Sequence, residues 1–360
     1  YLSPHLVSYT ERVQVRERDL DGEAFAASVA RAAHAAEQVN RTLTDDDHVT
    51  QFELLTAAAF WELGRREIDV AVVEAGLGGR YDATSVLESK VTVLTNVGLE
   101  HTRWLGPTLT DIAQEKLAVL DPGSTLVLGE DLAEPALAVA REVAHERAAK
   151  IVRAGTAAAG EQPRLSPGGF QRRNFALARA AAEAYLGTLG IDLRRQALEE
   201  AAASVRVDGR LQLLAGEPPT VLDGAHNPDA VGALLAALPD VLAPGTPLGL
   251  VLGVLEDKDA AAMLAPLLEI CERAWFTAPP SSRALSPAAL QSLARQLGFD
   301  AVVCEPRPAR ALEQARSWAV ERGGAVLATG SIYLVGELLS HLAGAPGAAF
   351  QQPGAGRSRG

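Results

Sequence analysis

Two apolar runs in this chain end on residues able to hold a metal ion. The first, DVAVVEAGLGGRYDAT at 69–84, carries Glu74, and the second, KVTVLTNVGLEHT at 90–102, carries His101. Apolar, β-branched runs bounded by glycine read as buried parallel strands. On that reading Glu74 and His101 stand at the carboxyl ends of strands, the edge where open α/β sheets bind ligands. A carboxylate and an imidazole there suit a divalent cation and a polyphosphate. Taken alone, Glu74 reads equally well as a helix cap or turn residue. Gly76, Gly78 and Gly79 narrow the choice, because they remove side chains where backbone turns tightly or approaches a ligand. A third element, IAQEKLAVL at 112–120, is a helix carrying Lys116.

The elements that must position these residues alternate. The opening YLSPHLVSYTERVQV holds a Ser-Pro-His turn followed by an apolar–polar alternation that predicts a strand. Helices are expected at 23–39 and 45–64, a strand at 125–130 and a helix reaching about 147. The stretch 155–169 is a loop by composition, and a long helix starts near 172. A second alternation begins near Val207, with apolar runs at 220–223, 248–255, 273–278, 301–305 and 325–330 separated by helical patterns. Strands alternating with helices imply a mostly parallel sheet covered on both faces. The tail from 343 to 360 is rich in Gly, Pro and Ala and is expected to be disordered.

A length of 360 residues suggests two domains. The net charge of −12, without a basic run, argues against a nucleic-acid partner. Cys271 and Cys304 follow or lie inside apolar segments without metal-type spacing, so both read as buried free thiols. No apolar segment approaches the roughly 20 residues that cross a bilayer, and no signal peptide is visible. A cytoplasmic location is expected.

Taken in order, the motifs SPHL (3–6), EAGLGGRYDAT, GLEHT through AQEK, FQRRN (170–174), DGR (208–210), DGAHNP (223–228), DKD (257–259) and TGS (329–331) resemble the folylpolyglutamate synthase / dihydrofolate synthase branch of the Mur ligase superfamily. The resemblance spans residues 3 to about 336. It implies an α/β fold: a P-loop-type ATPase domain like the Mur ligase central domain, incomplete at its N-terminus, over 1–206, then a smaller Rossmann-like C-terminal glutamate ligase domain over 207–342. It also implies ATP-dependent amide formation. A carboxylate takes the γ-phosphoryl group of ATP, L-glutamate attacks the acyl phosphate, and phosphate leaves. Such a site must neutralise crowded anions and hold the amine in line.

By the same resemblance Glu74 and His101 are magnesium ligands and two ions are expected, although magnesium prefers oxygen to imidazole. Lys116 matches a position the family carbamylates, which turns a cation into an anionic metal ligand; its plain alternative is a solvated helix lysine beside Glu115. Asn174 and Arg210 match nucleotide contacts. Asp223 matches a contact to the ribose or phosphate region, and His226 lies toward the glutamate side, although DGAHNP also reads as a turn and helix cap. Lys116, Asp223 and His226 are thus the expected catalytic residues. Ser331 is expected to help bind glutamate, while Lys258 reads as structural or as a charged rim. Ser3, Pro4 and His5 resemble the segment lining a folate or pteroate pocket. The implied partners are ATP, L-glutamate, and dihydropteroate or a reduced folate, with closure of a cleft assembling the site of a monomer.

Three departures stand out. Glu100 replaces the family's aspartate before His-Thr, the tryptophan before the Gly-Arg pair is absent, and Gln212 stands where an acid usually follows. No G-x-x-x-x-G-K-[ST] phosphate loop occurs in the chain. Since the chain opens on Tyr1 and its one methionine is Met263, truncation upstream of SPHL is the expectation, and with it weak catalysis by these 360 residues. Two rivals remain: a Mur-type cell-wall peptide ligase, and a non-catalytic binding protein that kept the scaffold. Retention of Glu74, His101, Lys116, Asp223 and His226 together argues against the second.

Overall fold

The computed structural model describes residues 1–44, 47–155 and 168–344, and its backbone packs into two compact units that divide between Val205 and Arg206, with Gly168 and Gly169 grouped in the second.

The first unit opens not on a strand but on a 3-10 turn, Tyr9–Arg12. Ser8 and Glu11 form a reciprocal capping box there, and local capping overrides the weak alternation. A short antiparallel hairpin follows, β1 (Gln14–Val15) and β2 (Arg18–Asp19). Helix α1 (Gly22–Asn40) is capped by Asp21, and α2 (Gln51–Arg65) by a Thr50/Glu53 box, so it starts six residues later than periodicity suggests. Ala59 and Leu63 of α2 pack with Val13 and Leu20 under the hairpin.

Next come β3 (Val91–Leu94), α3 (Thr102–Leu105), α4 (Leu109–Leu117), β4 (Thr125–Leu128), α5 (Glu134–Glu146) and β5 (Lys150–Arg153). The three strands form a parallel sheet in the order β3-β4-β5. Leu94, Leu126 and Leu128 face Leu117 of α4 and Ala140 of α5. Val127 faces the other way, onto Leu177 and Ala180 of α6 (Gly169–Thr188). This in–out alternation along β4 covers both faces. Helix α7 (Arg195–Ser204) closes the unit.

Among the described residues one expected strand is missing. Residues 69–74 join no ladder; Glu74 N–H donates to the Tyr1 carbonyl at 3.0 Å, and Val70 and Val72 are 50% and 82% exposed. An apolar run becomes a strand only when a neighbour completes its ladder. The loop expected at 155–169 lies mostly outside the described residues.

The second unit contains β6 (Gln212–Leu214), β7 (Thr220–Leu222), α8 (Pro228–Ala237), β8 (Leu248–Leu252), α9 (Ala260–Ile270), β9 (Arg273–Phe276), α10 (Pro287–Gln296), β10 (Val302–Cys304), α11 (Pro308–Arg322), β11 (Ala325–Thr329) and α12 (Ile332–Gly344). Its sheet runs β10-β9-β8-β11-β7-β6, parallel except for β6. Strands β8 and β11 are buried at every residue, which explains their uninterrupted apolar sequences. Cys271 is buried as expected, but Cys304 is exposed, because it ends the edge strand β10. Of the expected tail, 343 and 344 belong to α12, and the remainder lies outside the described residues.

Candidate functional site

In the first unit, the glycine turn after Glu74 is built against the end of α4. A Cβ on Gly79 would stand 2.7 Å from the carbonyl oxygens of both Glu115 and Lys116. One on Gly78, whose φ is +68°, would strike Leu105 at 2.7 Å. Arg80 strengthens the seam: its amide donates to the Glu115 carbonyl at 3.2 Å and its Nε to the Glu115 carboxylate at 2.8 Å. Asp82 accepts the amides of Gly76 and Leu77 at 2.9 and 2.8 Å through one oxygen, and Thr84 through the other. These contacts fix the backbone of the turn to the helix carrying Lys116, so the three elements singled out by sequence form one packed assembly.

The candidate ligands sit on its surface. Glu74 is exposed, with Oε2 accepting the Ser3 amide at 2.9 Å. His101 is exposed and holds a left-handed conformation (φ 53°, ψ 31°) at the start of α3. A non-glycine residue rarely adopts that region, and such residues concentrate at functional sites. Lys116 is half-buried in the last turn of α4. Among the described residues no three His, Cys, Asp or Glu side chains converge as a ready metal cluster. Asn174 is exposed on α6 and donates to Gln171 Oε1 at 3.2 Å. Gln171 itself is buried, and its Nε2 has no partner among the described residues. Pro4 is exposed and His5 half-buried, the latter accepting Arg12 Nε–H at Nδ1 over 3.1 Å. Burial, and next the Arg12 charge, hold the His5 pKa below its ordinary value.

In the second unit, three loops are clasped at one sheet edge. Strands β7 and β11 pair Leu222 with Ala328, which sets Asp223 beside Thr329. Gly330 N–H donates to the Ala225 carbonyl at 3.0 Å, joining the TGS and DGAHNP loops. Gly224 N–H donates to the Gly209 carbonyl at 2.8 Å, joining DGAHNP to DGR. Gly209 N–H in turn donates to Gln212 Oε1 at 2.7 Å.

Asp223 is the centre of this clasp. It is 4% exposed, and its two oxygens accept the amides of Leu211 at 2.7 Å and Ala225 at 2.8 Å. Burial raises its pKa, opposed in order by the Leu211 amide, the Arg210 charge, the Ala225 amide and His226. The carboxylate expected to touch nucleotide therefore also holds in place Leu211, with φ +47°, directly after Arg210. Sequence reading missed this second job because a backbone amide leaves no mark in side-chain spacing.

His226 is half-buried, and its Nδ1 lies 2.9 Å from the Gly224 carbonyl. A carbonyl only accepts, so Nδ1 carries a proton on this contact. Asn227 caps α8 by accepting Ala230 N–H at 2.6 Å, so the helix-cap reading of DGAHNP holds. Ser331 is 2% exposed, and its hydroxyl oxygen accepts the Tyr333 amide at 3.2 Å. Lys258 pairs with Asp257 at 3.6 Å, its side chain 13% exposed. Two surface hollows of this unit, of about 400 and 530 Å³, include none of the expected site residues in their linings.

Fold and edge together define a Mur ligase: the family model of the Mur ligase glutamate ligase domain matches residues 209–332. The folylpolyglutamate synthase of Lacticaseibacillus casei is 31% identical over 315 residues, covering 81% of this chain and 73% of that one. The dihydrofolate synthase/folylpolyglutamate synthase of Escherichia coli is 32% identical over 318 residues, covering 84% and 71%. Among solved structures, Mycobacterium tuberculosis folylpolyglutamate synthase complexed with ADP and AMPPCP superposes with a TM-score of 0.86 at 26% identity, over 96% of this chain and 84% of that one. E. coli FolC in complex with DHPP and ADP does so at 0.81 and 29% identity, over 95% and 81%. The chain belongs to the folylpolyglutamate synthase / dihydrofolate synthase family.

Proposed function

We propose that this protein is an ATP-dependent ligase that joins L-glutamate to dihydropteroate or to the glutamate tail of a reduced folate. The observation that carries the reading is the Asp223 clasp, which brings DGR, DGAHNP and TGS to one edge in a chain of this family. The pterin substrate's carboxylate oxygen attacks the γ-phosphorus of ATP and ADP leaves, giving an acyl phosphate. The amine of glutamate then attacks the acyl carbon, phosphate departs, and the amine gives up a proton. His226, its Nδ1 held on the Gly224 carbonyl, lies toward the glutamate side and takes that proton. Arg210 and Asn174 hold the nucleotide, while Ser331 and His226 bind glutamate, with Ser331 acting from the turn it shares with Tyr333. Ser3, Pro4 and His5 line the pterin acid's pocket.

The donor set fits magnesium in part. Glu74 supplies a hard, exposed carboxylate with one oxygen not taken by the Ser3 amide, whereas the His101 imidazole is a poorer match. Carbamylation of Lys116 adds the oxygen donors that a second ion needs. An ion held by these residues would supply positive charge against the polyphosphate. The protein acts as a monomer on a nucleotide, an amino acid and a pterin acid.

The test is ADP release with magnesium and L-glutamate, with dihydropteroate in one series and tetrahydrofolate in another, each with and without bicarbonate. Release that needs glutamate and a pterin acid supports the reading, and the series that responds identifies the branch. Loss of rate on bicarbonate removal, absent in Lys116→Glu, supports the carbamate. No glutamate-dependent release in either series, with ATP binding intact, refutes the ligase reading.

A further inference from the structure

The segment from Ser3 to Arg12 contains a cation that no acid among the described residues neutralises. Glu11, its neighbour in sequence, is consumed by the turn, its carboxylate accepting the amides of Leu6, Val7 and Ser8 at 2.7, 2.8 and 2.6 Å. Among the described residues no carboxylate pairs with Arg12. The half-buried guanidinium instead donates Nε–H to His5 Nδ1 and lies 5.5 Å from the centre of the Tyr9 ring. The His5 and Tyr9 rings are themselves 4.2 Å apart. A ring that accepts an arginine proton at Nδ1 carries its own proton on Nε2, so His5 is a second donor. The Tyr9 hydroxyl accepts from Gln51 at 3.1 Å, which fixes the ring on which both groups lean.

Position adds to the case. Leu2 N–H donates to the Arg12 carbonyl at 3.0 Å, and the next residue, Ser3, donates to Glu74. Arg12 is thereby tied through two adjacent residues to the carboxylate expected to face the polyphosphate. Ser3 Oγ is buried there without a partner among the described residues. A guanidinium whose Nε is already used keeps its terminal NH2 groups, the fork that matches a carboxylate. An exposed tyrosine face beside it suits an aromatic ring.

We propose that Arg12, set on Tyr9 and His5, receives the carboxylate of a benzoate-type acid, the end of a dihydropteroate-like substrate at which the amide is made. The inference rests on the ligase reading above and deepens it. Arg12 holds the carboxylate against repulsion from the nucleotide phosphates, and the Tyr9–His5 shelf takes the attached ring. A glutamyl tail, flexible and aliphatic, gains nothing from that shelf.

The test is equilibrium binding of pteroic acid and of its carboxamide to the full chain and to Arg12→Gln and Arg12→Lys, with melting temperature and ADP binding as controls. Wild type is expected to prefer the acid at least tenfold. Arg12→Gln is expected to lose that preference, with ADP affinity and melting temperature unchanged, and Arg12→Lys to restore part of it. Equal binding of acid and carboxamide by wild type overturns the inference, and this comparison decides even if Arg12→Gln fails to fold. So does an Arg12→Gln variant that keeps the preference. If wild type binds neither compound and releases no ADP with any pterin acid, the ligase reading falls with it. If it ligates tetrahydrofolate but shows no preference for the acid, only the Arg12 assignment falls.

Discussion

Asp223→Asn isolates the clasp at the edge of the second sheet with little change of shape. The wild-type carboxylate accepts two buried amides, from Leu211 and Ala225. An asparagine can point its oxygen at only one of them, so an NH2 group meets the other N–H. An unsatisfied buried donor costs about 1–3 kcal/mol, and the remaining bond loses its charge assistance, worth about 1 kcal/mol more. Against this, the substitution removes the cost of burying an anion, the cost that raises the pKa of Asp223. The expected net loss is about 2 kcal/mol. With an unfolding slope of about 1–3 kcal/mol per molar urea, the midpoint should fall by about 1 M. Trp275 and Trp318, both buried in this unit, report its unfolding by fluorescence. A raised folded pKa means the native state binds its proton more readily than the unfolded chain, so stability from this group declines as pH climbs from about 3.8 through the folded value. The variant should lose that decline. Because Leu211 follows Arg210, ADP affinity should fall as well. A midpoint within about 0.2 M of wild type, or an unchanged pH profile, would refute the claim that Asp223 holds the loops together.

Two further perturbations probe the first unit. Gly79→Ala would drive a methyl against two backbone carbonyls that cannot move aside, costing about 1–3 kcal/mol. Calorimetry should show a lower melting temperature, while Gly232→Ala in α8, whose methyl meets nothing within 4 Å, should not be destabilised. Glu62 is 1% exposed and is bonded by Arg65 and Arg66, and the Arg65 hydrogen bond above all holds its pKa down at about 2. A depressed folded pKa gives stability that is present above about 4.5 and lost as pH falls toward about 2. After discounting for the half-exposed Arg65, this is about 2 kcal/mol. Melting curves between pH 2 and 5 should show that loss, and Glu62→Gln should flatten it.

The sequence by itself determined what short-range chemistry dictates. The apolar runs of the second unit are its strands, since a strand buried on both faces must be apolar throughout, as β8 and β11 are. Asn227 and Pro228 announced the start of α8, because capping needs only neighbours in the chain. The ordered motifs were enough to indicate the family. Tertiary structure decided whatever depends on a partner distant in the chain. Residues 69–74 have the composition of a strand but join no ladder, and Cys304 is exposed because β10 lies at a sheet edge. Gly79 is explained by the helix end it rests on, at Glu115 and Lys116, and Gly78 by Leu105 of α3. Asp223 is a clasp as well as a candidate ligand because its carboxylate meets a backbone amide twelve residues away. Arg12 became a candidate for substrate binding only once its neighbouring acid was found bonded to three amides of its own turn. Charge can be read from sequence, but whether a charge is already neutralised depends on folded contacts.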